Sequence, residues 1–464
     1  MAEITPMMKQ YLEIKEQNKD SILFFRLGDF YEMFNEDAQL ASRELDLTLT
    51  TRDRGKAAED QTPMCGIPYH SSDAYIARLI AKGYKVAICE QTEDPALAKG
   101  LVKRDIIRVI TPGTVIDSAC LDDRRGNFLC GIFLDGQNAG AAFCDMTTGH
   151  THVTAFSGDD RAEHLYNELS RFSPAEAVLS AGAYDNGELV EYLRDKLSCA
   201  VERGENRFEL KACEKAIRAQ FGEERFASLP RNNPAAALAL GALLSYLHET
   251  QKTDLSYIKD LEYYEQGRFM ELDLSARRNL ELTESLRSGE RKGSLLWLLD
   301  QTRTAMGARL LRTWVENPMV SRHRIQTRLD AVEALKDNFI VAEELGEKLE
   351  TVADMERLLG KISYNSLTAR DCLALNRSLN AIAPVKALLE SVDVAPLNAL
   401  AHTMTPLDSL CELLEKAINP DAPLTLQEGG YIRPGFNAQL DEYRDASTHG
   451  KQWVLDMEAA EREA

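Results

Sequence analysis

The sequence predicts a multidomain chain, α/β through its first half and all-α after it. Three observations carry this. Strand and helix signals alternate up to about residue 255. From about residue 270 the strand signals stop, and leucines recur at helical spacing. The length is 464 residues, which at roughly 150 residues per domain leaves room for about three domains. The expected boundaries are 1–116, 117–255 and 256–464.

In the first segment, Thr5 followed by Pro6 reads as an N-cap with proline at the first helical position. Met7, Met8, Tyr11 and Leu12 then recur at helical spacing. Ser21 to Phe34 reads as strand interrupted by Gly28-Asp29. Asn35 is placed to cap the next helix, with Glu36 and Asp37 in its first turn, where they suit the helix dipole. A third helix is expected over 72–82, ended by Gly83. Lys85 to Glu90 and Asp105 to Ile110 have strand character.

Thr111-Pro-Gly-Thr114 breaks the chain before the second segment. There, 128–134 and 139–146 flank Asp135-Gly136, a hairpin signal. Helices are expected over 161–172, 188–196 and 235–247. In the third segment Leu280, Leu282, Leu286, Leu295, Leu296, Leu299, Leu310, Leu311 and Trp314 suit long packed helices, and 326–360 and 367–393 continue the pattern. Residues 439–464 read as a helix that stops in mid-charge, as an interrupted element would, so the chain is expected to be a fragment. No internal repeat is evident.

Hydrophobic residues make up 44% and charged residues 28%, a composition that folds. The formal net charge of −20 excludes a globally basic coat, although a local nucleic-acid surface is compatible with it. Residues 1–116 hold 15 basic and 18 acidic side chains, so this segment is far less acidic than the rest. No run approaches the ~18 apolar residues of a membrane span. The start, Met-Ala-Glu-Ile-Thr-Pro, has no signal-peptide pattern, so a cytoplasmic protein is expected. The cysteines number nine, an odd count without any C-x-x-C, and read as buried, reduced thiols.

The most informative segment is Gly28-Asp-Phe-Tyr-Glu-Met-Phe34. On composition alone it is a strand end burying Met33 and Phe34, with Phe30 an ordinary core residue. The functional reading is that Gly28 turns the chain so that Phe30 points outward as an apolar wedge, of the kind that enters a minor groove and unstacks a base step. Glu32 shares a strand face with Phe30. A carboxylate near phosphates is repelled, so it needs a specific base-edge partner.

Here the chain resembles the N-terminal part of the bacterial MutS family of DNA mismatch repair proteins. The motifs are Thr5-Pro-Met-Met-Lys-Gln-Tyr11, the Gly28–Phe34 segment, Leu45-Asp-Leu-Thr-Leu-Thr-Thr-Arg52 and Pro63-Met-Cys-Gly-Ile-Pro-Tyr-His70. Tyr75-Ile-Ala-Arg-Leu79, Val86-Ala-Ile-Cys-Glu-Gln91 and Arg108-Val-Ile-Thr-Pro-Gly-Thr114 follow, then Leu272-Asp-Leu274, Asn279-Leu-Glu-Leu282 and Asn317-Pro-Met319. Order and spacing match over nearly the whole chain, weakly over about 150–260. The resemblance implies that Phe30 stacks on a mispaired or unpaired base and that Glu32 hydrogen-bonds to the same base. It implies a mixed α/β mismatch-binding domain (1–116), an RNase H-like connector (117–255), and a helical core and lever truncated near the start of a clamp (256–464). Its implied partners are mismatched double-stranded DNA, a homodimer partner and MutL, with a cytoplasmic, nucleoid-associated location and no membrane.

The family's ATPase domain is not expected in these residues. A P-loop needs G-x-x-x-x-G-K-[ST], and Gly55-Lys56, Gly360-Lys361 and Gly450-Lys451 are followed by Ala57, Ile362 and Gln452. ATP and Mg²⁺ are therefore expected only for an intact family protein, with neither a cofactor nor a catalytic residue here.

Other constellations are weaker. Lys99, Lys103, Arg104 and Arg108 are candidate DNA backbone contacts. Arg277, Arg278, Arg287, Arg291 and Lys292 read first as a solvated helix face. Cys65 and His70 suggest a thiol–imidazole pair, but Pro63 and Pro68 favour a turn. Cys144, Asp145, His150 and His152 lack ordinary zinc spacing, so no metal is expected. Two alternative functions are a metal-dependent nuclease on the middle domain, for which Asp135 and Asp145 are too few carboxylates, and a MutS-like protein with a non-repair role.

Overall fold

The computed structural model describes residues 5–51, 61–93, 100–116, 121–265, 267–423 and 428–463. It divides into two units, residues 1–321 with 359–364, and residues 322–358 with 365–464.

The first unit contains two mixed sheets. The strands of the first are β1 (Ser21–Leu27), β2 (Phe30–Phe34), β3 (Thr50–Thr51), β4 (Pro63–Pro68), β5 (Lys85–Gln91) and β6 (Arg104–Ile110). Their order is β3-β4-β2-β1-β5-β6, with only β1 and β5 parallel. The expected interrupted strand is thus a hairpin of β1 and β2. The expected turn at 63–68 is instead a strand, with its two prolines at the ends, where a missing N–H does least harm to the ladder.

Helices cover both faces of this sheet. α1 (Pro6–Glu16) brings Tyr11 against Leu23, Phe25, Phe34 and Cys89. α2 (Asn35–Leu45) and α3 (Ser72–Ala81) pack Ala38, Ala41, Leu45, Ile76 and Leu79 against Ile22, Phe24, Met33 and Ile67. Thr5 caps α1 through Met8 N–H at 3.4 Å, as its sequence position predicts. Asn35 does not cap α2. It is the first helical residue, at φ +52°, and Phe34 is the N-cap.

The second sheet holds β7 (Phe128–Leu134), β8 (Asn138–Asp145), β9 (His150–Ser157), β10 (Glu176–Leu179), β11 (Ala200–Arg203) and β12 (Asp260–Tyr263). The order is β11-β10-β7-β8-β9-β12. β7, β8 and β9 form an antiparallel meander, extended by parallel strands on both sides. This is the RNase H-like layout that the resemblance implies. β12 lies beyond residue 255, so the sheet extends past the expected boundary. The meander turn is Asp135-Gly136, where Asp135 Oδ1 accepts from the N–H groups of Gln137 and Asn138 at 2.7 and 2.6 Å. α4 (Arg161–Phe172) covers one face, and the helices Leu210–Ala227 and Ala235–Gln251 cover the other.

The two sheets share a buried polar joint. Glu176 accepts from Tyr246 Oη at 2.6 Å, from Gly113 N at 3.0 Å and from Thr111 Oγ1. Lys85 on β5 forms an ion pair with Glu202 on β11. Burial pushes the Glu176 carboxyl up, and Lys85 opposes that shift. The predicted breaker, 111–114, is therefore a packed turn, with Thr111 and Thr114 fully buried.

From 270 to 300 the expected long helices are short, Leu274–Asn279 and Leu295–Leu299. The Ser- and Gly-rich run Ser285 to Ser294 interrupts them, since it offers turn formers in place of helix formers.

In the second unit, Arg322–Asp337, Phe339–Glu350, Ile382–Glu390 and Ala395–Thr403 are helices that enclose Leu345, Val385, Leu389, Leu397 and Ala401. A neighbouring cluster joins Leu358, Leu375, Leu379 and Cys411. The final helix is Ala438–Glu463.

Gly131 on β7 makes the close packing of helix Ala235–Gln251 testable. A Cβ there would lie 2.3 Å from Ala239 O and 3.1 Å from Leu243 Cβ. Overpacking of this kind costs about 1–3 kcal/mol, and a backbone carbonyl has little room to yield. Gly131→Val is expected to lower the urea midpoint followed by circular dichroism, and an unchanged midpoint would refute the close approach.

Candidate nucleic-acid interface

The site begins with the β1–β2 turn. Leu27 and Phe30 are register partners, so Gly28 and Asp29 form a two-residue turn. Gly28 has φ +57°, the left-handed backbone that glycine tolerates best. Phe30 therefore emerges at the very start of β2 and is 47% exposed. Strand alternation puts Phe30, Glu32 and Phe34 on one face, and Tyr31 and Met33 on the other.

The three side chains on that face have different fates. Tyr11 of α1 covers Phe34 edge-on, with ring centroids 4.9 Å apart. Glu32 is half-buried. Phe30 is outside both core clusters of the sheet. Gly66, the register partner of Glu32 on β4, adds no side chain to this face. A Cβ at Gly66 would meet Tyr31 O at 3.3 Å, Glu32 Cγ at 3.5 Å and Phe30 Cδ1 at 3.9 Å. Glycine thus leaves the floor between the aromatic ring and the carboxylate open.

Asp37 holds α1 in place. Its Oδ2 accepts from Tyr11 Oη at 3.2 Å and from Leu23 N at 3.0 Å, and its Oδ1 accepts from Lys15 Nζ at 2.9 Å. The expected dipole residue is thus a buried link between α1, β1 and α2.

The opposite face of the hairpin is braced. Arg26 Nε donates to Gly28 O, and Nη1 donates to Glu90 Oε1 at 3.1 Å. The guanidinium lies 3.5 Å from the centroid of the Tyr69 ring. Tyr69 N donates to Asp29 O at 3.0 Å. Tyr31 Oη donates to the same Glu90 oxygen. Sequence reasoning missed Arg26, Tyr69 and Gly66, because their roles come from strand pairing rather than from spacing along the chain.

The candidate backbone contacts are not brought together as one patch. Lys99 lies outside the described residues, and Lys103 is exposed. Arg104 is buried beneath α1, where it donates to Arg26 O at 2.7 Å, Gln10 Oε1 at 3.1 Å and Val102 O at 2.9 Å. Arg108 donates to Gln251 Oε1 at 2.9 Å and Thr114 O at 2.7 Å, so it works at the joint between the sheets. A phosphate contact by either arginine would require these bonds to break.

The weaker constellations have structural roles. Cys65 is buried, which pushes its thiol up to about 11, and His70 is exposed on the turn that follows. Of the nine cysteines, eight fall among the described residues. All eight are free, and seven of them are buried. Cys144 shares a face with its register partner Thr151, while Asp145 and His152, the residues that follow them, lie on the other face. Among the described residues no group of three metal-ligating side chains converges. Asp135 and Asp145 sit at opposite ends of the β7–β8 hairpin, whereas a two-metal nuclease needs its metals about 4 Å apart. In the basic run, Arg277 donates to Leu272 O at 2.9 Å and Arg291 pairs with Asp300, while Arg278, Arg287 and Lys292 are exposed.

Comparison with known proteins bears on this geometry. Models of MutS domain I, MutS domain II and MutS domain III match residues 5–119, 127–259 and 275–464. The DNA mismatch repair protein MutS of Acetivibrio thermocellus is 46% identical over the whole chain, which covers 53% of that protein. Those of Ruminiclostridium cellulolyticum and Halalkalibacterium halodurans are each 45% identical over the whole chain, covering 53% and 52% of the relatives. The chain thus spans about half the length of the curated relatives it matches.

The contrast between Phe30 and Phe34 gives a stability prediction. Phe30→Ala removes an exposed ring and is expected to leave the melting temperature within a degree or two, by analogy with other surface changes of about 0.5 kcal/mol or less. Phe34→Ala empties a packed site and is expected to cost about 3–5 kcal/mol. Equal losses in thermal unfolding would show that Phe30 is a core residue.

Proposed function

The chain belongs to the MutS family, and on that premise we propose that its first sheet recognises mismatched or unpaired bases in duplex DNA, the step that begins mismatch repair. One observation carries this reading: a large apolar ring stands exposed at a braced turn, with a half-buried carboxylate two residues on along the same face. A soluble fold gains nothing by leaving phenylalanine there, whereas a wedge between base steps requires it.

Recognition is by deformability. A matched duplex resists kinking, and smooth bending of a site costs on the order of 1–6 kcal/mol. Stacking one base on an aromatic ring returns roughly 1–3 kcal/mol. The two are comparable, so the weaker stacking at a mismatch decides whether the bent complex forms. Glu32 sharpens the choice. Its charge is repelled by the phosphates of any duplex, and a base freed from its Watson–Crick partner offers it a ring N–H that a paired base does not.

The reading extends to a homodimer, to MutL as a partner and to a cytoplasmic, nucleoid-associated protein. The sequence and family resemblance support these, and no helix among the described residues is long and apolar enough to cross a membrane. We expect no ATP site in these residues, because no Gly-Lys pair is followed by Ser or Thr. Gly360 and Gly450 lie inside helices Met355–Ser363 and Ala438–Glu463, where backbone N–H groups are already bonded within the helix. Gly55 lies outside the described residues.

Two experiments test this. Binding of the 464-residue chain to a duplex with one unpaired thymine and to its matched counterpart is measured at one fixed salt concentration, because phosphate attraction is salt-dependent. Phe30→Ala is expected to reduce mismatch affinity roughly tenfold to a hundredfold and to collapse the preference. Glu32→Gln is expected to raise matched-duplex affinity more than mismatch affinity. An unchanged ratio in both variants would defeat the proposal. Separately, isothermal titration of the same chain with ATP and Mg²⁺ is expected to show no binding, and micromolar binding would reveal a nucleotide site in these residues.

A further inference from the structure

We propose that Arg26 is a positioning residue for the Phe30 contact, acting on the stacking ring through the turn that carries it. The inference rests on the reading of Phe30 given above.

Arg26 cannot act on DNA directly from where it stands. It is the register partner of Tyr31, so its side chain lies on the sheet face opposite Phe30. Only 16% of that side chain is exposed. All of its contacts run to the back of the hairpin. Its Nε holds the carbonyl of Gly28, and its plane stacks on Tyr69. The Tyr69 N–H in turn holds the carbonyl of Asp29. Both carbonyls of the two-residue turn are thus gripped from the covered side, and the next residue is Phe30.

The other end of the clamp is anchored on β5. Glu90 accepts from Arg26 Nη1 and from Tyr31 Oη, so one carboxylate fixes the guanidinium and the residue that follows Phe30. The turn itself is intrinsically loose: Gly28 lacks a side chain and sits in the left-handed region, with nothing within 4 Å of where a Cβ would be. A ring on a loose tip must be ordered when it stacks, and that ordering subtracts from affinity. The clamp orders it beforehand. Arginine suits the task because one planar fork reaches two acceptors and stacks at the same time, which lysine cannot do.

The test is a double-mutant cycle on the 464-residue chain. The ratio of affinities for a duplex with one unpaired thymine and for its matched counterpart is measured by fluorescence anisotropy. The proteins are wild type, Arg26→Lys, Phe30→Ala and the double variant. Arg26→Lys is expected to lower the ratio roughly threefold to tenfold with Phe30 present, and not at all in the Phe30→Ala background. Matched-duplex affinity should stay the same, because Arg26 touches no phosphate. Tyr69→Leu keeps both partners of the Arg26–Glu90 ion pair and removes the stacking platform. It should show the same dependence on Phe30, and it serves if Arg26→Lys folds poorly. If Phe30→Ala leaves the ratio unchanged, the reading of Phe30 itself fails. If Phe30→Ala collapses the ratio while Arg26→Lys and Tyr69→Leu do not change it, the positioning role alone is wrong. A parallel loss on both duplexes, or an equal loss with and without Phe30, would also overturn it, since a purely structural residue behaves that way.

Discussion

The Asp37 carboxylate fixes the geometry on which the first sheet depends. It is buried, and it is satisfied by a tyrosine hydroxyl and a lysine ammonium from α1 and by a backbone N–H from β1. A buried charge is tolerated only when it is paired and hydrogen-bonded. Removing one donor would therefore leave a charge uncompensated, so α1 cannot drift along the sheet. Where α1 stops decides what is covered. Tyr11 lies over Phe25 and Phe34 with edge contacts of 5.5 and 4.9 Å. Four residues before Phe34, Phe30 lies outside that cover. Its exposure follows from the position of a helix and is no lapse in packing.

A second buried carboxylate ties this sheet to the next. Glu176 belongs to β10, yet two of its three donors, Thr111 and Gly113, come from the segment that leaves β6. The third, Tyr246, comes from the helix that covers the second sheet. Gly113 approaches so closely that a Cβ there would lie 2.9 Å from both Glu176 Cβ and Leu129 Cδ1. Arg108 is bonded to Gln251 across the same joint, so the segment 108–114 is tied to the second sheet at several points.

Much of this was legible in the sequence, and the limits have physical causes. Gly28-Asp29 marked a turn because glycine alone is at ease with φ near +57°. With that turn placed, period-2 alternation put Phe30 and Glu32 on one face. The Asp135-Gly136 turn was legible for the same kind of local reason. Asn35 misled because its residue type favours caps, while Asp37 lies in the first turn as expected but is also bound by three donors distant in sequence, which spacing does not reveal. Arg104 and Arg108 are candidate DNA backbone contacts by sequence, which shows their charge but not the oxygen acceptors they meet in the fold. Arg26 and Tyr69 are 43 residues apart in the sequence, and only the order β4-β2-β1 brings them together. Short-range signals fix turns and faces, and partners across strands remain hidden until pairing is known.

On the proposed reading, one aromatic ring would discriminate between duplexes that differ at a single base pair through a narrow balance of terms. The bending cost and the stacking return are each a few kcal/mol. When two terms nearly cancel, the outcome depends on small corrections to either. A pre-ordered turn raises the return by removing the entropy of ordering the ring. A nearby carboxylate raises the cost for every duplex that offers it no hydrogen bond. Neither correction distinguishes sequences by reading base edges along a groove, as direct readout does. Both act on the balance point, moving it until a matched duplex falls on one side and a weakened one on the other. The net charge of −20 fits the same logic. Strong attraction to any phosphate backbone would bury a difference of this size under non-specific affinity, so on the proposed reading weak attraction away from the defect would favour discrimination.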